Sequence, residues 1–196
     1  MRELRIHGRG GQGAVVASEI LAHAAFREGL YVQAFPSFGS ERRGAPVAAF
    51  VRIDTKPILV RSEVYQPDGV VVLDESLISL GLANVTDGLK VGGFALINSG
   101  NPPEAFANLG SFKVATVDAS RIAVEYKLGS LTAPIVNTAI LGALAALTGW
   151  VSLEHLEEAI RDHVPIKPEE NMAAARQAFR AVKVAELPEL EKAYGY

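Results

Sequence analysis

A glycine-rich segment near the amino terminus carries the residues best suited to bind an anion. It runs from Gly8 to Gly13, follows Leu4–His7, which is typical of a strand, and precedes a helical segment, Ala14–Phe26. Glycine reaches backbone conformations that are closed to other residues, so the pattern predicts a tight turn between strand and helix. Backbone N–H groups and the positive end of the helix dipole meet there, which suits an anion or a closely packed polar partner.

Gly8, Gly10 and Gly13 match the G-x-G-x-x-G pattern of dinucleotide-binding proteins. The full pattern also has an acidic residue about 20 residues further on, at the end of the second strand, where it holds the ribose. The second predicted strand, Leu30–Phe35, ends without an acid, and Glu28 precedes it. We therefore predict that this turn does not bind NAD or FAD. The alternative is a tight turn that lets helix and strand pack closely.

A second candidate is the loop from Pro36 to Pro46, which contains Glu41, Arg42 and Arg43. Its prolines and glycines argue against a helix and favour a stiff frame. Arginines held on a stiff loop suit an anion or a partner protein. The alternative is a solvated surface loop.

Two carboxylates, Asp74 and Asp118, each end a predicted strand, Gly69–Asp74 and Lys113–Asp118. Carboxylates at the carboxyl ends of parallel strands can serve a binding site. They can equally cap the helix that follows, and we favour capping for both.

The composition argues against several functional classes. The chain has no cysteine, so it can hold neither a disulfide, nor a cysteine nucleophile, nor a cysteine-ligated iron–sulfur cluster. Its four histidines form no metal-spaced pair, and its net charge of -3 argues against a nucleic-acid partner. No signal peptide is expected, and the apolar run Ala139–Val151 is shorter than the roughly 20 residues of a membrane span. We expect a cytoplasmic protein with no metal site and no membrane partner.

Strands and helices alternate along the chain, which predicts a single domain, residues 1–196, built as a three-layer α/β/α sandwich. The sheet is expected to be mostly parallel but mixed, because the short turn between Val47–Ile53 and Ile58–Arg61 requires an antiparallel hairpin. The segment Thr132–Trp150 is predicted to be a nearly all-apolar helix. Small residues such as Gly142 give it a face that another backbone can approach, from the same chain or from another subunit.

Three stretches of this sequence resemble the gamma subunit of pyruvate:ferredoxin oxidoreductase and its relatives, the 2-oxoacid:acceptor oxidoreductases. They are His7–Ala14, Phe35–Pro46 and Asn137–Ala143, and they occur in the order found in that family. The resemblance covers nearly the whole chain, and the second stretch is the most specific of the three.

The resemblance implies an activity that this chain does not carry out alone. The family decarboxylates a 2-oxoacid oxidatively, with coenzyme A (CoA), to acyl-CoA and CO2. It uses thiamine diphosphate with Mg2+, and [4Fe–4S] clusters pass the electrons to ferredoxin or another acceptor. These groups are expected on alpha, beta and delta-type partner subunits, since this chain has no cysteine. The substrate is expected to be pyruvate or an aromatic acid such as phenylglyoxylate or indolepyruvate; a branched-chain acid or 2-oxoglutarate is also open.

The resemblance also implies candidate cofactor-binding residues but no catalytic residue. They are Gly8, Arg9, Gly10, Gly11, Gln12, Gly13, Glu41, Arg42, Arg43 and Asn137. The alternative function is that of a stand-alone nucleotide- or CoA-binding α/β regulatory protein. Co-purification of large partner chains with iron–sulfur absorbance distinguishes the two.

Overall fold

Seven strands form one mixed sheet in the order β2-β3-β1-β4-β5-β6-β7 in a computed structural model that describes residues 1–37 and 44–185. β1, β4, β5 and β6 are parallel; β3 is antiparallel to both β1 and β2, and β7 is antiparallel to β6. The strands are β1 (Arg2–Arg9), β2 (Tyr31–Pro36), β3 (Pro46–Asp54), β4 (Gly69–Val72), β5 (Phe94–Asn98), β6 (Lys113–Val117) and β7 (Lys183–Val184).

The helices begin and end at residues whose chemistry suits those positions. Ser152 caps α5, since its Oγ accepts a 3.2 Å hydrogen bond from the His155 N–H. Pro168 occupies the first turn of α6, and Gly149 ends α4 in the left-handed conformation. The helices are α1 (Ala14–Arg27), α2 (Ser76–Ser79), α3 (Ala119–Glu125), α4 (Asn137–Thr148), α5 (Leu153–His163) and α6 (Pro168–Ala181), with a 3-10 helix at Pro103–Leu109. Across the described ranges, none of them is long and apolar enough to span a membrane.

The two faces of the sheet are covered unequally. Alternate strand residues such as Leu96 face a large core shared with α1 and α3–α6, whereas Ile97 and its neighbours face a smaller cluster. Leu77 of α2 and Phe106 of the 3-10 helix close that smaller cluster. The predicted α/β fold with a mixed sheet is confirmed, and the layer over its second face consists of short helices and extended segments.

The antiparallel hairpin exists, but with a different partner from the one predicted. Val47–Ile53 was expected to pair with Ile58–Arg61, and the structure instead pairs β3 with β2. Because β1 and β2 already occupy both edges of β3, no edge is left for a third strand. Residues 58–61 form no strand, and Gln33 Nε2 donates to the Ile58 carbonyl over 3.2 Å.

Some element boundaries also differ from those predicted. A helix over Glu75–Val85 was expected, and only Ser76–Ser79 is helical. Gly81 adopts the left-handed conformation immediately after this turn, which stops the helix.

The small-residue face of α4 packs against the same chain. A Cβ atom at Gly142 would lie 1.9 Å from the carbonyl oxygen of Ala175 in α6, so the two helix backbones are in direct contact there. The predicted close approach of a backbone is therefore confirmed, and its source is intramolecular. This part of α4 is unavailable to another subunit.

Candidate functional site

The carboxyl ends of the four parallel strands open onto one cavity of about 580 Å³. The chain leaves β1 toward β2 on one side and later crosses over to β4 on the other, so β1 and β4 form a topological switch point. Ligands of open α/β sheets bind at such points. The lining comprises Gly11, Gln12, Gly13, Leu73, Asp74, Glu75, Asn98, Ser99, Gly100, Asp118, Ser120 and residues 132–137. In residues 1–37 and 44–185, no group of three or more potential metal ligands is present.

The glycine turn uses several of its own amides internally. Gly10 donates its N–H to the Ala45 carbonyl over 2.8 Å, and the Gly44 N–H returns a 3.1 Å bond to the Gly10 carbonyl. Gln12 folds back on Arg9: its N–H bonds the Arg9 carbonyl at 2.9 Å, and its Oε1 accepts the Arg9 N–H at 2.7 Å. Three amides of the turn, those of Arg9, Gly10 and Gln12, are thus already bonded within the protein and are not available to a dinucleotide pyrophosphate.

An acidic residue does lie beside the glycine turn, although the sequence pattern did not place it there. Asp74 follows β4, which is the parallel neighbour of β1, and β2 is separated from β1 by β3. Its Oδ1 accepts hydrogen bonds from the Ser76 N–H, at 2.9 Å, and from the Ser76 hydroxyl. Its Oδ2 accepts from Gln12 Nε2 at 2.8 Å and pairs with Arg9 Nε at 3.1 Å.

These four partners occupy the acceptor positions of the Asp74 carboxylate. Burial by itself raises the pKa of this carboxyl, but hydrogen bonds from Ser76 and Gln12 and the charge of Arg9 outweigh it. The pKa of Asp74 therefore lies below its ordinary value. Asp74 fixes the shape of the glycine turn and has no free acceptor left for a ribose.

We expect the isolated chain to show no saturable binding of NADH, because three amides of the turn and the Asp74 carboxylate are engaged internally. A fluorescence titration measures this directly. Saturable micromolar binding that is lost in Gly10→Val would show instead that the turn is a dinucleotide site.

Asp118 acts as a helix cap, as predicted. Its Oδ1 accepts the Arg121 N–H at 2.9 Å and so caps α3. Its Oδ2 lies toward the cavity side at Gly100, where an added Cβ would be 3.2 Å away. Within the described part of the chain, Arg121 Nε lies 3.7 Å from this second oxygen.

Asn98 is a polar lining residue that the sequence reasoning did not single out. It is buried at the end of β5, and its Nδ2 donates to the Leu73 carbonyl at 2.9 Å and to Ser120 Oγ at 3.0 Å. Its Oδ1 accepts the Ser120 N–H at 3.2 Å. The available signal was a lone polar residue ending an apolar strand, as at Asp74 and Asp118.

Asn137 is the candidate outside the turn that lies within the described residues, and the structure brings it to the turn. The residue is only 6% exposed, and its Oδ1 accepts the Thr138 N–H at 2.9 Å. A Cβ at Gly13 would lie 2.6 Å from Asn137 Nδ2, so glycine is required there both for space and for a φ of 79°. Asn137 and the amino end of α1 are therefore in direct contact at the cavity wall.

The remaining candidates separate into two groups. Gly8, Arg9 and Gly10 do not line the cavity. They form the end of β1 and the start of the turn, and the residues that follow them, Gly11–Gly13, line it. Glu41, Arg42 and Arg43 lie outside the described residues, between Ser37 and Gly44.

The sequence profile of the family described as "Pyruvate ferredoxin/flavodoxin oxidoreductase" matches residues 3–181 of this chain. The chain is 52% identical over 191 residues to the "Pyruvate/ketoisovalerate oxidoreductases common subunit gamma" of Thermococcus litoralis. That alignment covers 95% of this chain and 100% of the relative.

Solved structures share the fold. The pyruvate oxidoreductase subunit PORC of Thermotoga maritima superposes with a TM-score of 0.79 at 39% identity, covering 94% of this chain and 98% of that one. The 2-oxoglutarate:ferredoxin oxidoreductase of Magnetococcus marinus, described with 2-oxoglutarate, coenzyme A and succinyl-CoA bound, gives a TM-score of 0.67 at 25% identity. That match covers 91% of this chain but 30% of the larger one.

Proposed function

This chain belongs to the pyruvate ferredoxin/flavodoxin oxidoreductase family as a gamma subunit, and we propose that it completes a complex that decarboxylates pyruvate or 2-ketoisovalerate oxidatively. The products are the corresponding acyl-CoA and CO2, with electrons leaving to ferredoxin or another acceptor. The observation that carries this proposal is a match along nearly the whole length of a gamma subunit. We treat residues 1–196 as its single domain.

The proposed division of labour follows from chemistry that this chain lacks. Decarboxylation of a 2-oxoacid leaves a carbanion, which thiamine diphosphate stabilises as an electron sink. Single-electron transfer through [4Fe–4S] clusters requires thiolate ligands, and the chain has no cysteine. Thiamine diphosphate, Mg2+ and the clusters are therefore assigned to alpha, beta and delta-type partner subunits, where the ferredoxin contact also belongs.

The substrate assignment follows the names of the relatives. The Thermococcus litoralis protein is named for pyruvate and ketoisovalerate, and the Thermotoga maritima protein for pyruvate. Neither name supports the aromatic acids considered from the sequence. A branched-chain acid, which was also open, is retained as 2-ketoisovalerate.

Within the complex we assign the cavity beside Gly11–Gly13 and Asn137 to contact with a cofactor or a partner subunit. Its place at the switch point and its polar lining support this role. The segment containing Glu41–Arg43 connects to the same region, because Gly44 bonds directly to Gly10.

Arg42→Ala and Arg43→Ala are expected to weaken assembly of the complex or to raise the KM for CoA. Breaking a buried charge pair costs about 3–5 kcal/mol, whereas breaking an exposed pair costs at most about 1 kcal/mol. The measurements are the yield of co-purified complex and steady-state kinetics in CoA. The matched control is Arg61→Ala, which removes an exposed arginine elsewhere. If both variants assemble and turn over as the wild type does, these arginines are merely solvated.

The first test of the proposed function is co-purification. Tagged chain expressed with its candidate partners should retain larger chains that carry iron–sulfur absorbance. A chain that purifies alone from such cells would favour the stand-alone regulatory protein instead.

A further inference from the structure

We infer that one ordered water molecule is bound between β2 and β3, where it donates a hydrogen bond to Gln33 Oε1 and accepts one from Arg52 Nη1. Both side chains lie on the second face of the sheet, because their neighbours Val32 and Val51 pack into the large core on the first face. This water site is separate from the cavity at the carboxyl ends of the strands, and it does not depend on the proposed function.

Arg52 is buried with one of its nitrogen atoms unpaired. Only 1% of the residue is exposed. Its Nε donates to Glu3 Oε1 at 2.9 Å, and its Nη2 donates to the Glu63 carbonyl at 3.2 Å. Nη1 is closed to bulk solvent and has no hydrogen-bond partner among the residues that the structure describes. An unpaired buried N–H is unfavourable, so this position favours an added acceptor.

Gln33 has the complementary deficit. Its Nε2 donates to the Ile58 carbonyl at 3.2 Å. That bond fixes the orientation of the amide, because the opposite orientation would place the Gln33 oxygen against the carbonyl oxygen. Gln33 Oε1 is then a buried acceptor that has no partner within the described part of the chain. This position favours an added donor.

The two unpaired atoms belong to residues that lie directly opposite each other. Gln33 and Arg52 are partners in the antiparallel ladder of β2 and β3, so their side chains leave the same face of the sheet. The Cβ atoms of such partners are about 4.5–5.5 Å apart. Because the two polar atoms form no direct hydrogen bond, a small group between them that both donates and accepts satisfies both.

The chemistry of this position selects water over an ion. An anion would be attracted by Arg52, but it would face the unpaired oxygen of Gln33 and the carboxylate that Glu3 already places on Arg52 Nε. A cation would face the charged guanidinium. Water donates and accepts at once, and a buried water typically makes roughly two to four hydrogen bonds to groups of this kind. Rotation of Gln33 onto Arg52 is a poorer solution, because it breaks the bond to the Ile58 carbonyl.

The water would complete a polar connection between the sheet and the segment that follows β3. Gln33 and Arg52 each hold one carbonyl of that segment, at Ile58 and at Glu63, although residues 58–63 form no strand. Bridging the two side chains joins these separate contacts into one network. The network then fixes the segment against the second face without any ladder hydrogen bond.

A high-resolution crystal structure of the full-length chain tests the position of this water. We expect a water oxygen within about 3.2 Å of both Gln33 Oε1 and Arg52 Nη1. A direct bond between these two atoms, another side chain between them, or no water at that position would overturn the inference.

The number of long-lived internal waters in solution, measured by water magnetic relaxation dispersion, is a second test. Gln33→Met keeps the length of the side chain and removes the acceptor, so we expect this variant to hold one internal water fewer than the wild type. Gln66→Met, at an exposed position, is the matched control and should hold the same number as the wild type. An equal number in the wild type and Gln33→Met would contradict the proposed site. The crystal structure needs no variant, so it decides the matter even if Gln33→Met fails to fold.

Discussion

Gly142→Ala is expected to destabilise the chain severely, although alanine is the better helix former. The new Cβ would lie 1.9 Å from the Ala175 carbonyl oxygen, 2.5 Å from its carbonyl carbon and 2.8 Å from its Cα. All three are backbone atoms of α6, so no side-chain rotation can relieve the contact. The two helices must move apart, which opens the core that α4 shares with the sheet.

Overpacking a core typically costs about 1–3 kcal/mol, and a clash with backbone belongs at or above the upper end of that range. This is a large fraction of a total stability of about 5–15 kcal/mol. Urea unfolding and thermal melting measure the effect. Ala146→Gly, at a partly buried position of the same helix, is the matched control and should cost no more than about 1 kcal/mol. A Gly142→Ala variant that melts at or above the wild-type temperature would show that the helices are not in contact.

Loss of stability between pH 6.5 and pH 3 is expected to depend strongly on His7. This histidine is buried on the second face of the sheet, and its Nε2 accepts a 3.0 Å hydrogen bond from Arg5 Nε. Burial, and then the charge of Arg5, lower the pKa of His7 to about 3. The same Arg5 donates to the carbonyl of Val85 at 3.1 Å and to that of Asp87, so the pair anchors the segment that follows α2.

The sign of the effect follows from proton linkage. The unfolded chain takes up a proton at a histidine pKa of about 6.5, whereas the folded chain resists it until about pH 3. Folding stability contributed by neutral His7 is therefore complete above about pH 6.5 and declines as the pH falls through that window. The slope is a little over 1 kcal/mol per pH unit.

Urea unfolding at a series of pH values tests this expectation. His7→Gln should flatten the dependence in that window, whatever its effect at neutral pH, and His163→Gln on the exposed end of α5 should leave it steep. Equal slopes in the wild type and His7→Gln would contradict a neutral, buried His7.

The local elements were predictable where one short segment determines them. The glycine turn between Leu4–His7 and α1 follows from residues that are adjacent in sequence, and so does the Ser152 cap of α5. The small-residue face around Gly142 correctly indicated close backbone approach. It could not indicate the partner, because α6 begins more than 25 residues after Gly142. The same small-residue face is equally compatible with a contact to another subunit.

The site itself depended on strand order, which the sequence does not state. An acid beside the glycine turn was sought at the end of the strand that follows α1. The acid there is Asp74, which follows β4, because β3 separates β2 from β1. Because β3 lies between β1 and β2, both of its edges are paired, and Ile58–Arg61 cannot pair with it as predicted. Contact of Asn137 with Gly13 likewise links residues 124 positions apart and requires the folded chain. The Glu41–Arg43 assignment stays a prediction, since those residues lie outside the described ranges.

The central claim is that this chain supports 2-oxoacid oxidation only as one subunit of a complex. The most direct measurement is anaerobic, CoA-dependent reduction of a viologen dye with pyruvate or 2-ketoisovalerate. It compares the chain alone, its candidate alpha, beta and delta-type partners without it, and the full set. We predict no activity from the chain alone, impaired activity from the partners without it, and full activity from the set. Activity from the lone, metal-free chain, or full activity from the partners without it, would contradict the account.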